Sequence, residues 1–121
     1  MSKQAKRARK FLREVKSGEP EPLYFIYGEE TYMLDKALDA ITEAACPEGT
    51  NDFNYDVFRG NDIDGEAILS AAEMLPMMAE RRLVMVLDLQ EVSLSELEPL
   101  EQYFKDPSPT TCLVIHARTL Q

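Results

Sequence analysis

The chain has 121 residues, a length expected for one domain or for part of a longer chain. Hydrophobic residues make up 45% and charged residues 29%, which is typical of a globular fold, and the formal net charge is −9. No apolar run approaches the roughly 20 residues that span a bilayer, and no signal-peptide core follows the basic N-terminus, so a membrane protein is excluded and a cytoplasmic location is expected. Cys46 and Cys112 are isolated and accompany a single histidine, which argues against a disulfide framework and a zinc site and predicts two buried or half-buried apolar residues.

The charge is unevenly distributed along the chain. Residues 1–16 hold seven basic residues and one acidic residue, a balance of +6, whereas residues 17–121 hold six basic and 21 acidic residues, a balance of −15. An acidic body binds a phosphate backbone poorly. The basic segment is either a nucleic-acid contact or a solvated helix face, and the second interpretation is preferred.

Hydrophobic periodicity and breaker residues predict the elements. In chain order they are a helix over 3–16, a buried strand over 23–27, a helix over 31–45, a half-buried strand over 53–58, a helix over 65–75, a buried strand over 82–87, a helix over 93–104 and a buried strand over 111–117. Asp64 can cap the helix that follows it, and Pro76 ends that helix. Pro99 lies within the last helical pattern, so that helix either kinks or starts late.

Two apolar faces follow from these patterns. Alternation in the second strand places Phe53, Tyr55 and Val57 on its buried face. The helix over 65–75 has Leu75 on its apolar face, so Leu75 is expected in the core.

Strands that alternate with helices predict an α/β fold with three layers, α/β/α, and a mostly parallel sheet. We expect residues 1–22 to form a basic helix with a linker and residues 23–121 to form the α/β/α domain. No helix follows the last predicted strand, which suggests that the chain is truncated from a longer protein.

In this architecture, the first strand-to-helix turn usually cradles phosphate. Here it reads YGEETYMLDKAL, and counting from Gly28 places Met33, Leu34 and Asp35 where a phosphate loop needs glycine, lysine and serine or threonine. Two glutamates directly after Gly28 would repel a triphosphate. The pattern therefore predicts the shape of a nucleotide-binding domain without its chemistry. No cofactor, metal ligand or catalytic residue is assigned, and His116 is interpreted as structural.

The stretch AEMLPMMAERRLVMVLDL, residues 72–89, places two adjacent methionines in a connector. Two neighbouring side chains cannot both face one core from an ordinary helix or strand, so at least one of Met77 and Met78 is expected to be exposed. Exposed apolar clusters tend to mark interaction sites. The alternative is that both methionines fill the core under the next helix, and the residues alone support both interpretations equally.

The segments PLYFIYGEETYMLDKAL, DFNYDVFRGNDID and AAEMLPMMAERRLVMVLDLQEV, in this order, resemble the N-terminal domain of the bacterial DNA polymerase III delta subunit, a clamp-loader protein. The resemblance extends from Phe11 to Arg118. It implies a P-loop NTPase-like (AAA+) fold with a degenerate nucleotide site. It also implies a domain that grips the ring-shaped sliding clamp, the beta subunit, and favours the open ring.

The resemblance further implies that an apolar dipeptide after the second helix inserts into a hydrophobic pocket of the clamp. Met77 and Met78 occupy those positions, where family members often carry Leu-Phe or Phe-Phe. Glu73, Met74 and Arg81 are further candidates for clamp contact. Arg81 and its neighbour Arg82 have an alternative interpretation, in which they cap the strand entrance and pair with acidic residues.

The implied partners are the sliding clamp and, through a C-terminal region beyond residue 121, the other clamp-loader subunits; DNA is contacted only in the assembled complex. The parent complex resembles the DNA polymerase III holoenzyme, but this domain shows no catalytic site. Two other functions compete with this one. The first is a nucleotide-binding α/β enzyme domain of unknown substrate, and the second is a nucleic-acid-binding fragment that uses the basic N-terminal helix.

Overall fold

The structure is a computed structural model, and it describes residues 10–16, 18–27, 31–50 and 53–117. Strands β1 (Leu23–Tyr27), β2 (Tyr55–Arg59), β3 (Arg82–Leu89) and β4 (Thr111–Ala117) form one sheet in the order β1-β4-β3-β2. All three neighbouring pairs are parallel. The parallel sheet confirms the predicted α/β class.

The helices confirm most of the predicted order. Helix α1 covers the described residues 10–16, while residues 3–9 of the predicted helix lie outside the described part of the chain. Helices α2, α3 and α4 span Thr31–Ala45, Gly65–Glu73 and Glu101–Lys105, and two 3-10 helices span Gly60–Asp62 and Glu91–Leu100. The domain boundary at residue 22 stays a prediction.

Two apolar clusters, one on each face of the sheet, produce the three layers. Successive side chains of a strand point to opposite faces. Accordingly, Leu83 and Met85 of β3 pack in the cluster that contains Val15 of α1 and residues of α2, whereas Val84 of β3 packs in the cluster that contains Ile68 of α3. The clusters explain why β3 and β4 read as continuous apolar runs, since both of their faces are covered.

Burial of the outer strands differs from the prediction. Phe25 and Tyr27 of β1 are exposed, although the apolar run predicted a buried strand. Phe53 and Val57 are also exposed, and of the predicted buried face only Tyr55 packs against a cluster. The physical reason is position, because β1 and β2 are the two edges of the sheet and have a neighbouring strand on one side only.

Helix α3 begins as predicted and ends early. The Asp64 carboxylate accepts a hydrogen bond from the backbone N–H of Glu66 at 3.1 Å, which confirms the cap. The helix ends at Glu73, and Leu75 is 77% exposed, so the prediction that Leu75 lies in the core is wrong. Leu75 precedes Pro76, and a residue before proline is pushed out of the helical region.

The predicted helix over 93–104 is only partly correct. Residues Glu91–Leu100 form a 3-10 helix, and α4 starts at Glu101, two residues after Pro99. This is the late start that the proline allowed, because proline has no N–H to donate to an α-helix. Within the described residues, no helix is long and apolar enough to cross a membrane.

Candidate functional site

The connector between α3 and β3 exposes four large apolar side chains within five positions. The exposed fractions are 55% for Met74, 77% for Leu75, 55% for Met77 and 97% for Met78. We call these four residues the apolar tip. The sequence pattern predicted exposure of at least one methionine and missed Leu75, whose helical spacing placed it on a core face. The signal that could have found it is the proline directly after it.

The apolar tip starts from a helix end that is firmly held. The last carbonyls of a helix lack partners within the helix and must find them elsewhere. The carbonyl of Ala71 accepts a hydrogen bond from Nε of Arg82 at 3.1 Å, and the carbonyl of Ala72 accepts one from the Thr111 hydroxyl at 2.8 Å. These donors lie on β3 and β4, so the end of α3 is tied to the sheet.

The middle of the connector is held by one buried side chain. Asn54 is 2% exposed and lies just before β2. Its Nδ2 donates to the Met77 carbonyl at 2.6 Å, and its Oδ1 accepts from the Met77 N–H at 2.7 Å. Both backbone polar groups of Met77 are thereby satisfied by the same amide. The sequence does not predict this role of Asn54, since no local pattern links positions 54 and 77.

Met78 has an unusual backbone conformation. Its φ is 56°, in the left-handed region that side chains with a Cβ rarely adopt. Such a conformation costs on the order of 1 kcal/mol and persists only where the surrounding structure imposes it. The conformation coincides with the most exposed side chain of the apolar tip.

The two arginines that follow the apolar tip differ from each other. Arg82 is buried, pairs with Asp56 and also donates to the carbonyl of Phe53. The Arg81 guanidinium pairs with two carboxylates: Nη2 lies 3.7 Å from Oε2 of Glu19, and Nη1 lies 3.6 Å from Oε2 of Glu80. The Arg81 side chain is 19% exposed. Both arginines therefore make the acidic pairings of the alternative interpretation, and clamp contact by Arg81 stays a prediction.

Glu73 is the last residue of α3 and is exposed beside the apolar tip. Glu73 and Met74 are thus accessible, as clamp contact would require. Contact of Glu73 and Met74 with a clamp stays a prediction.

A second place to look for a ligand is the carboxyl edge of the parallel sheet. A cavity of about 170 Å³ lies there, lined by Leu34, Asp35, Leu38, Arg59, Leu87, Asp88 and His116. The two aspartates oppose phosphate binding, and among the described lining residues Arg59 carries the one permanent positive charge. Across the described ranges, no three or more His, Cys, Asp or Glu side chains group as a metal site. Residues 28–30 of the first strand-to-helix turn lie outside the described part of the chain.

His116 and the two cysteines have structural surroundings. Nδ1 of His116 accepts a hydrogen bond from the backbone N–H of Asp88 at 3.2 Å, which joins the ends of β3 and β4. Burial raises the pKa of Cys46, and it raises the pKa of Cys112 to about 12. A raised pKa suppresses the nucleophilic thiolate. The cysteines are therefore the buried and half-buried residues that the sequence predicted.

Comparison with known proteins identifies close relatives. Residues 24–121 match the family model described as DNA polymerase III, delta subunit. The DNA polymerase III subunit delta of Bacillus subtilis is 33% identical, in an alignment that covers 87% of this chain. This chain spans 33% of the length of that relative.

Solved structures agree with this comparison. The Bacillus subtilis DNA clamp loader delta protein (YqeN) superposes with a TM-score of 0.79 at 31% identity, over 94% of this chain and 37% of that one. A DNA polymerase III gamma subunit-related protein from Thermotoga maritima superposes with a TM-score of 0.60 at 13% identity, over 92% of this chain and 39% of that one. The second likeness concerns the fold alone.

Proposed function

The chain belongs to the DNA polymerase III delta subunit family, and we propose that it acts in the bacterial clamp loader as the domain that binds the sliding clamp and favours its open ring. In this proposal, the apolar tip inserts Met77 and Met78 into a hydrophobic pocket of the clamp, the beta subunit. Glu73, Met74 and Arg81 lie at or beside the contact. The protein acts in the cytoplasm, and the domain itself catalyses no reaction.

The observation that carries this proposal is the apolar tip. Four large apolar side chains are exposed within five positions, on a connector that follows a helix end bonded to the sheet and whose Met77 backbone is hydrogen-bonded to Asn54. Large apolar clusters that are left in water mark interaction sites. Fully burying a methionine contributes roughly 1.5–3 kcal/mol before ordering costs are subtracted. Burial of Met78 alone would therefore supply a substantial part of the free energy of clamp binding.

Methionine suits such a contact. Its unbranched thioether side chain adapts to irregular pockets, which allows it to replace the aromatic residues that are common at these positions. Leu75 and Met74 extend the apolar surface on the α3 side of Pro76. We include Leu75 in the proposed contact because it is more exposed than Met77.

The other partners in this proposal are reached through the rest of the parent protein. The clamp loader's other subunits bind a C-terminal region beyond residue 121, and DNA is contacted only in the assembled complex. The net charge of −15 over residues 17–121 supports the absence of DNA contact by this domain alone in the proposal, because an acidic surface repels a phosphate backbone.

The test is binding of the protein to the sliding clamp of the same organism, measured by calorimetry or surface plasmon resonance. A Met77→Ala/Met78→Ala variant should lose most of the affinity while its circular dichroism spectrum is unchanged. Tyr27→Ala is the matched control, because Tyr27 is also exposed and lies on β1, away from the connector. Absence of binding by the wild-type protein, or equal loss in both variants, would overturn the proposal.

The alternative function, a nucleotide-binding enzyme domain, is tested in the same samples. Titration with ATP and magnesium should produce no heat of binding, because the positions of a phosphate loop are occupied by Met33, Leu34 and Asp35. Saturable ATP binding would favour the enzyme over the clamp-binding module. Salt-sensitive binding to DNA by the protein alone would instead favour the nucleic-acid-binding alternative.

A further inference from the structure

The buried amide of Asn54 forms hydrogen bonds with main-chain atoms of the apolar tip. Its two hydrogen bonds, of 2.6 and 2.7 Å, join a residue before β2 to Met77, which lies 23 positions later. Because the amide recognises the N–H and the C=O of Met77, the hydrogen bonds do not depend on the side chain at position 77. The connector is thus held in place while its side chains remain available.

Asn54 is itself held by the sheet. Its carbonyl accepts a hydrogen bond from the N–H of Leu83 at 2.8 Å, and its side chain is almost wholly buried. Leu83 belongs to β3, the strand that the connector enters. A short path of hydrogen bonds therefore runs from β3 through Asn54 to Met77, and the neighbouring Met78 follows at φ 56° with its side chain in water.

We infer that Asn54 is the positioning residue of the apolar tip, and that it prepares Met77 and Met78 for docking by fixing the backbone between them and the sheet. The inference rests on the proposed function. A loop that is already ordered in its bound shape loses less conformational entropy on binding than a loop that must be ordered by its partner. Asn54 never touches the partner in this role.

Asn54→Ala should weaken clamp binding by about tenfold, mainly through faster dissociation, because the tip must then be ordered during binding. Asn54→Asp keeps an acceptor for the Met77 N–H but replaces the donor to the Met77 carbonyl with an oxygen that repels it, so it should weaken binding at least as much as Asn54→Ala. Asn61→Ala is the matched control, since Asn61 is exposed on the first 3-10 helix. Each variant is compared at a temperature where circular dichroism shows it folded.

A double-mutant cycle separates positioning from a general structural role. If Asn54 acts by presenting the tip, then Asn54→Ala should cost less affinity in a Met78→Ala background than in the wild-type protein. An equal loss in both backgrounds, or unchanged affinity in Asn54→Ala, would overturn the inference.

Hydrogen exchange of the Met77 amide gives an independent readout. That amide should exchange slowly in the wild-type protein and at least about tenfold faster in Asn54→Ala, while the amides of β3 stay protected. Equal exchange in the two proteins would overturn the positioning role. Failure of the wild-type protein to bind the clamp would instead remove the proposed function, and with it the docking role, so the two failures are distinguishable.

Discussion

Arg82, the first residue of β3, is buried and forms an ion pair with the partly exposed Asp56 of β2, and the same guanidinium also bonds the carbonyls of Ala71 and Phe53. One side chain thus joins the end of α3, the entrance to β2 and the start of β3. Its sequence neighbour Arg81 instead approaches two glutamates whose side chains are largely exposed. These adjacent arginines therefore differ in their burial and in their partners, since Arg81 is half-buried and Arg82 is buried.

This contrast predicts unequal effects on stability. Arg82→Ala should lower the free energy of unfolding by about 3 kcal/mol, because it removes a buried guanidinium that bonds the carbonyls of Ala71 and Phe53 and pairs with Asp56. Arg81→Ala should cost less than about 1 kcal/mol, since surface ion pairs contribute little. Urea denaturation of the two variants measures the difference. Similar losses would contradict the buried network.

The left-handed backbone of Met78 predicts an unusual ranking of substitutions. The free energy of unfolding of Met78→Gly should be about 1 kcal/mol higher than that of Met78→Ala, because glycine adopts a positive φ without the steric cost of a Cβ. Both variants should lose clamp affinity, since both remove the exposed thioether. Thermal and chemical denaturation provide the stability ranking. A less stable glycine variant would show that this backbone conformation does not persist in solution.

Gly65 is closely packed at the start of α3, so a larger residue at this position should destabilise the protein. A Cβ at this position would lie 1.9 Å from the carbonyl oxygen of Glu96 and 2.8 Å from Cδ of Pro99. Gly65→Ala should therefore lower the free energy of unfolding by about 1–3 kcal/mol, because the 3-10 helix must shift away from α3. Gly18→Ala is the control, as its nearest atom would lie at 3.4 Å. Equal stability of the two variants in urea would contradict this packing.

Cys112 predicts a loss of stability at alkaline pH. Burial raises its pKa to about 12 from an ordinary value of 9.0, so the folded state keeps the thiol protonated after the unfolded state has ionised. The stability that depends on the protonated Cys112 thiol is fully present below pH 9. As the pH rises toward 12, the free energy of unfolding falls by up to about 1.4 kcal/mol per pH unit. Cys112→Ala should show a shallower decline of unfolding free energy with pH above 9. Parallel declines in the two proteins would contradict the assignment.

The cysteines also predict an order of chemical modification. Iodoacetamide at mildly alkaline pH should alkylate half-buried Cys46 slowly and Cys112 only after unfolding, because burial raises both pKa values and Cys112 is the more deeply buried. Mass spectrometry of the modified peptides follows both sites. Rapid modification of Cys112 in the folded protein would contradict its position in the core.

Local sequence patterns are sufficient to predict the α/β class, the alternation of strands and helices and the cap at Asp64. These features depend on local periodicity, which is set by the 3.6-residue repeat of a helix and the two-residue repeat of a strand. The continuous apolar runs over 82–87 and 111–117 predict strands that are covered on both faces, and the structure confirms this. The unusual pair Met77 and Met78 was also visible as a candidate interaction site.

Which apolar residues face water depends instead on how the elements pack together. Strand β1 reads as buried, yet its place at the edge of the sheet exposes Phe25, and edge position is a property of strand order rather than of local pattern. Leu75 has core spacing, but the helix ends before reaching it. Asn54 and Met77 meet across 23 positions because β2 and β3 are neighbours in the sheet, and such a long-range contact leaves no trace in local sequence.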